Sequence, residues 1–249
     1  MNVAESEILI TGGGSGVGRH LVERFASCAR RVAVLEKDAD AMADLSAALP
    51  HVKCYACDVT QPDEISQTLD ALASDGFRIN VLVNNAGLIY SAPLVNLLAK
   101  PVRVHSTDMW QTVLAANLSS VFFVTARVID RMLSEHRQGI VINLSSISSQ
   151  GNAGQTAYSA AKAGVNALTL TWGKELGPLG FRFAAIAPGF LDTPSTRRHL
   201  SKSMLERVKQ NVPLRRLGTP AAVFQAVQFV IENDYVNGVV LEIDGGLVL

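Results

Sequence analysis

The chain has 249 residues, 48% of them hydrophobic and 18% charged, with 22 basic side chains against 22 acidic ones. That length suits one large α/β domain over 1–249, and roughly three-quarters of the unfolded surface can be buried at this size. The even charge excludes a protein that blankets nucleic acid or an anionic membrane, because both tasks need a concentrated basic surface.

Short β-branched runs alternate with helical patterns along the chain. EILIT (7–11) comes first, followed by a glycine-rich turn and a helix over 17–29. RVAVLE (31–36) precedes a helix over 38–48, and VKCYAC (52–57) precedes a helix over 61–74. INVLVN (79–84), a long helical stretch over 107–134, GIVINLS (139–145) and a helix over 156–177 follow. FRFAAIA (181–187), a helix over 219–232 and VVLEID (239–244) complete the pattern. Continuous apolar strands separated by helices predict a parallel seven-stranded sheet covered on both faces, a doubly wound α/β fold. Two segments, 88–106 and 189–210, read as inserted loops at carboxyl ends of strands, where ligands bind in such sheets.

Three cysteines, Cys28, Cys54 and Cys57, fit free thiols in a reducing compartment. CYAC has no second ligand pair elsewhere, so it reads as two strand thiols, and no metal site is expected. The N-terminus lacks a basic stretch ahead of its short apolar run, and no stretch reaches the ~18 apolar residues of a membrane span. A cytoplasmic protein is the expectation.

The first strand runs into TGGGSGVGR (Thr11–Arg19) and then a helix. Glycines there let the backbone approach a pyrophosphate, and the helix N-terminus offers free N–H groups to it. Gly12, Gly16 and Gly18 are assigned to the turn, with Ser15 and Val17 beside them. The second strand ends at Glu36, placed to accept hydrogen bonds from a ribose diol and to repel a 2′-phosphate. That favours NAD over NADP, although neighbouring Lys37 offsets part of the repulsion. Asp58, with Val59 after it, ends the third strand where an adenine would lie. Further on, TAYSAAKAGV carries Tyr158 four residues ahead of Lys162, and such residues share a helix face with Cβ atoms about 5–6 Å apart. By itself that pair fits either an amphipathic surface or a phenol tuned by an ammonium.

TGGGSGVG, NNAG (Asn84–Gly87), Asn117 in AANLSS, NLSS (Asn143–Ser146), YSAAK (Tyr158–Lys162), PGFLDT (Pro188–Thr193) and IDGG (Ile243–Gly246) occur in this order. Together they resemble the short-chain dehydrogenase/reductase family across nearly the whole chain, which implies a Rossmann-like fold. The resemblance implies Tyr158 as general acid/base and Lys162 as the cation that lowers its pKa and holds the nicotinamide ribose. It also implies a serine bonded to the substrate oxygen, and Asn117 in support of Lys162. Strand alignment makes that serine Ser146, whereas counting thirteen residues back from Tyr158 lands on Ser145; Ser146 is preferred. Ser148 and Ser149 read as loop residues and Asn84 as buried and structural. Asn85, Ala86 and Gly87 would line the cofactor, Pro188 and Gly189 would shape the turn beneath it, and Thr193 would meet the carboxamide.

The activity implied is interconversion of a secondary alcohol and a ketone with NAD(H), NADP(H) not being excluded. GNAGQTAYSAAKAG most resembles the 3-oxoacyl-carrier-protein reductase branch, with Arg137 as a contact for an acidic carrier. A sugar, polyol or other hydroxy-compound dehydrogenase is the alternative, and a dinucleotide-binding sensor or scaffold without catalysis is a third class. The family norm implies a homotetramer or dimer packed through the helices over 107–134 and 156–177 and the C-terminal LVL.

Overall fold

The structure is a computed structural model that describes residues 1–98 and 100–248, without the side chains of Ser195 and His199. Ala99 of the 88–106 segment and Leu249 of the terminal LVL lie outside the described residues. Seven strands form one sheet: β1 (Glu7–Thr11), β2 (Arg31–Glu36), β3 (Lys53–Ala56), β4 (Val81–Asn84), β5 (Ile140–Leu144), β6 (Arg182–Pro188) and β7 (Val239–Ile243). Their order is β3-β2-β1-β4-β5-β6-β7, and every neighbouring pair is parallel.

Helices α1 (Gly16–Ala26), α2 (Ala39–Ala48), α3 (Pro62–Ser74), α4 (Thr107–Leu114), α5 (Ser120–Ser134) and α6 (Thr156–Leu176) cover the sheet. They are followed by α7 (Pro194–His199), α8 (Lys202–Asn211) and α9 (Pro220–Glu232). Alternation along β1 sends Ile8 and Ile10 into one apolar layer with Phe25 and Val227, and Leu9 into the other with Leu69 and Val128. Both faces of a central strand are thereby dry, which is why EILIT is apolar at successive positions rather than alternating.

Three expectations need correction. The 189–210 segment is not a bare loop: Thr193 and Ser201 cap α7 and α8 through their hydroxyls, and both helices lie within it. The predicted helix over 107–134 is interrupted by a π-helical stretch, Ala115–Ser119. That run is also long and apolar enough to cross a membrane by length and composition, against the sequence expectation, with a mean hydropathy of 1.6 in its most apolar window. In this fold 44% of the window is buried, and Asn117, Ser120 and Thr125 all make internal hydrogen bonds, so the run packs as a core helix.

Candidate active site

The chain reverses direction across the sheet between β1 and β4, and at such a switch point the loops leaving two adjacent strands diverge and open a crevice. The glycine-rich turn leaves β1 and NNAG leaves β4. Gly12 has φ +67, and a Cβ there would lie 2.8 Å from Ala86 Cα, so only glycine lets the two loops touch. Thr11 ties them further, its hydroxyl accepting from Asn85 N–H at 3.1 Å and Ala86 N–H at 3.0 Å. A cleft of about 650 Å³ runs along these ends. Every residue assigned above to catalysis or cofactor binding lines it.

Its nucleotide end fits a dinucleotide. Ser15 stands at the N-cap of α1 but makes no side-chain cap, leaving first-turn N–H groups open to a phosphate. A Cβ on Gly18 would fall 2.1 Å from Gly12 O, so the helix can approach the turn only without one. Glu36 does more than face a ribose. Its Oε2 accepts from Gly14 N–H at 2.9 Å, and its Oε1 from Lys37 N–H at 2.9 Å and Asp38 N–H at 3.1 Å. Lys37 turns away to Asp58, 3.6 Å distant, rather than toward the space beside Glu36. Burial opposes ionisation of Asp58, but bonds from Thr60 and the Lys37 charge outweigh it and hold the carboxyl below its ordinary range.

At the other end lie Ser146, Tyr158 and Lys162, all buried. The Ser146 side chain faces the Tyr158 phenol closely enough to lower its pKa, and its hydroxyl accepts from Ser148 N–H at 3.1 Å. Ser145 faces the other way, its hydroxyl donating toward the Lys162 carbonyl at 3.4 Å. Strand alternation permits only one of the two to meet the phenol, and it is Ser146. Lys162 Nζ donates to Leu144 O at 2.6 Å and lies 5.7 Å from the centre of the Tyr158 ring.

Electrostatics here differ from the expectation. Burial pushes the Tyr158 phenol up to about 12, with the Ser146 bond acting in the opposite sense. Burial also brings the Lys162 ammonium down to about 8. Desolvation outweighs the attraction expected between the pair, because the ammonium is directed at the Leu144 carbonyl rather than at the phenol oxygen. The resting site is therefore a neutral phenol, competent to give a proton.

Asn117 owes its position to the π-helical stretch, since an extra residue in a turn rotates one side chain out of the regular ladder. Its Nδ2 donates to Leu88 O at 2.9 Å and Val113 O at 3.0 Å, and its Oδ1 accepts from Leu88 N–H at 3.2 Å. Asn117 thus fixes the loop after β4 beside Lys162. A Cβ on Gly87 would lie 2.4 Å from Asn117 Oδ1 and 3.9 Å from Lys162 Nζ. Asn84 is buried as expected, its Nδ2 donating to Thr125 and Asn143 at 2.9 Å each. Thr193 caps α7, accepting from Thr196 N–H at 3.2 Å. Gly189 passes close to Asp244, where a Cβ would meet the Asp244 Cα at 2.8 Å.

Gln155 was missed by sequence reasoning, and Ser148 was read as loop. Both line the cleft, where Ser148 Oγ donates to Gln155 Oε1 at 2.8 Å. The available signal was position: Gln155 stands three residues before Tyr158, one helical turn away. Arg137, expected as a contact for an acidic carrier, lies 3.5 Å from Glu135.

Comparison with known proteins places the whole chain. The sequence profile of the family described as Enoyl-(Acyl carrier protein) reductase matches residues 12–248. The chain is 38% identical to the 3-oxoacyl-[acyl-carrier-protein] reductase FabG of Thermotoga maritima over 248 residues, covering 97% of each. It is 33% identical to the (3R)-3-hydroxyacyl-CoA dehydrogenase of Canis lupus familiaris over 255 residues, covering 96% of this chain and 95% of the relative. A solved short chain dehydrogenase from Bacillus anthracis superposes with a TM-score of 0.88 at 27% identity, covering 98% of this chain and 97% of that one. A candidate gluconate dehydrogenase from Agrobacterium tumefaciens superposes with a TM-score of 0.90 at 28% identity, covering 100% and 98%. The chain belongs to the short-chain dehydrogenase/reductase family and is an NAD(P)-dependent oxidoreductase acting on CH–OH groups.

Proposed function

We propose that this enzyme reduces the 3-oxo group of an acyl thioester to a secondary alcohol, with Ser146, Tyr158, Lys162 and Asn117 as its working residues. The observation that carries the proposal is the buried Ser146–Tyr158 hydroxyl pair beside Lys162 at the end of a dinucleotide-sized cleft. The bound nicotinamide supplies the hydride to the carbonyl carbon. Ser146 donates a hydrogen bond to the carbonyl oxygen, and its own lone pair is already held by Ser148 N–H, which orients the O–H outward. Tyr158 gives its proton to the same oxygen as negative charge develops there, a transfer suited to a phenol that is neutral at rest. Lys162 stabilises the phenolate left behind, and Asn117 keeps the loop beside it in place.

Glu36 supports NAD(H) as the preferred cofactor, because its carboxylate would oppose a 2′-phosphate at the end of β2. The acyl-thioester names of the curated relatives support the substrate class. Apolar Trp110, Phe122 and Leu170 exposed on α4, α5 and α6 support assembly into a homotetramer or dimer through those helices. A cytoplasmic location agrees with three free thiols. A small hydroxy-compound dehydrogenase is the second reading, favoured by the likeness to the candidate gluconate dehydrogenase.

The test is NADH oxidation with acetoacetyl thioester by wild type and Tyr158→Phe. The phenol's loss is expected to reduce kcat by about 10²–10⁴. Turnover that survives the substitution overturns the chemistry, and oxidation of polyols in place of thioester reduction moves the substrate to the second reading.

A further inference from the structure

The segment 88–106 leaves β4 and returns to α4 as a short hairpin. Val95 pairs antiparallel with Val104, Asn96 N–H donates to Arg103 O at 2.7 Å, and His105 N–H donates to Leu94 O at 2.9 Å. Its base is built into the catalytic end of the cleft. Leu88 and Ile89 line the cleft, and Leu88 and Tyr90 pack with Tyr158 and Val113. Ala92 forms a parallel bridge with Gln155, whose Nε2 also donates to Ser91 Oγ at 3.3 Å. Gln155 is itself held by Ser148 at 2.8 Å and Asn152 at 3.0 Å. The hairpin is thereby tied to α6 one turn ahead of the phenol.

Its outer half exposes four large apolar side chains, Leu94, Leu97, Leu98 and Val102, each between 66% and 94% exposed, alongside exposed Lys100 and Arg103. Several large apolar side chains left exposed in one segment are costly to leave wet and mark a candidate interaction site. A second segment that reaches the same cleft is basic. Residues 192–216, of which Thr193 and Thr196 line the cleft, carry seven lysines and arginines against two acids in a chain of zero net charge. Asp192 pairs with Arg197 at 2.6 Å and Glu206 with Lys209 at 2.7 Å. Among the described residues, Arg198, Lys202, Arg207, Arg215 and Arg216 then have no ionic partner.

An occupant with a hydrocarbon chain and an anionic portion suits a mouth that offers both exposed apolar side chains and cations without ionic partners. We propose that the 88–106 hairpin is the seat of the substrate's hydrocarbon tail and gives the enzyme a preference for medium- and long-chain acyl thioesters over the four-carbon one. The proposal rests on the thioester reading above. Ile89 lines the cleft, and Leu94, Leu97 and Leu98 follow it in the same segment with exposed side chains, so a chain leaving the reacting carbonyl would have apolar side chains to lie against. A lipid bilayer would require only the tip, and the bonds between the hairpin base and Gln155 would serve it no purpose.

The experiment compares kcat/KM for 3-oxododecanoyl-CoA and acetoacetyl-CoA in wild type and in the double variant Leu97→Ser/Leu98→Ser, whose side chains touch no core. The long-to-short ratio is expected to favour the longer substrate in wild type and to fall about tenfold in the variant, a difference of about 1.4 kcal/mol. Calorimetric binding of dodecanoyl-CoA, which has no 3-oxo group to reduce, is expected to weaken in parallel. A wild-type ratio near unity, or one the variant leaves unchanged, overturns the proposal while leaving the thioester reading intact. An effect that emerges only with anionic vesicles present overturns it in favour of a membrane contact. If wild type reduces no thioester of either length, the thioester reading falls and this proposal falls with it.

Discussion

Replacing Lys162 with methionine tests the buried cation without any knowledge of the substrate. In the folded protein, burial holds the ammonium at about 8, against an ordinary 10.5. Between those values the unfolded chain binds a proton that the folded chain has released, so the free energy of unfolding rises with pH across that window. Below pH 8 the cost of keeping the ammonium buried is present in full, about 3 kcal/mol by linkage. Most of it, about 2–3 kcal/mol, is recovered as pH rises from 7 to 10. Methionine abolishes this dependence, but it also strips Leu144 O of the donor 2.6 Å away, a loss of about 1–3 kcal/mol for a buried acceptor. The two effects nearly cancel at pH 7, which makes the slope the informative quantity. Urea unfolding of both proteins at several pH values reads it directly, since other titrating groups cancel in the difference. Wild type should gain about 2–3 kcal/mol on the variant over that range. A difference that stays flat would refute the claim that Lys162 is desolvated in the folded state.

The remaining expectations concern its neighbours. Ser146→Ala should lower kcat/KM by about 10²–10³ through loss of a donor to the carbonyl oxygen, whereas Ser145→Ala, which faces the α6 backbone, should cost less than about tenfold; steady-state kinetics with the reversed order would contradict the assignment. Gly87→Ala drives a methyl to 2.4 Å from Asn117 Oδ1 and is expected to lower stability by about 1–3 kcal/mol and to impair turnover, read by thermal unfolding alongside activity. An unaltered Tm would mean that the loop yields freely. Glu36→Ser should raise use of NADP relative to NAD about tenfold. It should also destabilise the fold by about 1 kcal/mol or more, because three backbone N–H groups lose their acceptor.

Much of this protein was determined by its sequence. Strand and helix positions followed from hydrophobic period, because burial on both faces leaves a strand such as EILIT apolar throughout. The turn after β1 was legible because only glycine tolerates Ala86 against it at Gly12. Tyr158 and Lys162 were legible as neighbours because helical spacing is local. Tertiary structure decided whatever depends on contacts between distant segments. Ser146 could be distinguished from Ser145 only once β5 lay beside α6, and Gln155 gained significance only when Ser91 and Ala92 folded back upon it. The π-helical stretch at Asn117 has no local signature, since what holds it is the bonding of that side chain to Leu88, twenty-nine residues away. Ionisation belongs to the same class: the Tyr158–Lys162 spacing suggested a lowered phenol, but desolvation is a property of everything packed around the pair, and it carries Tyr158 up and Lys162 down.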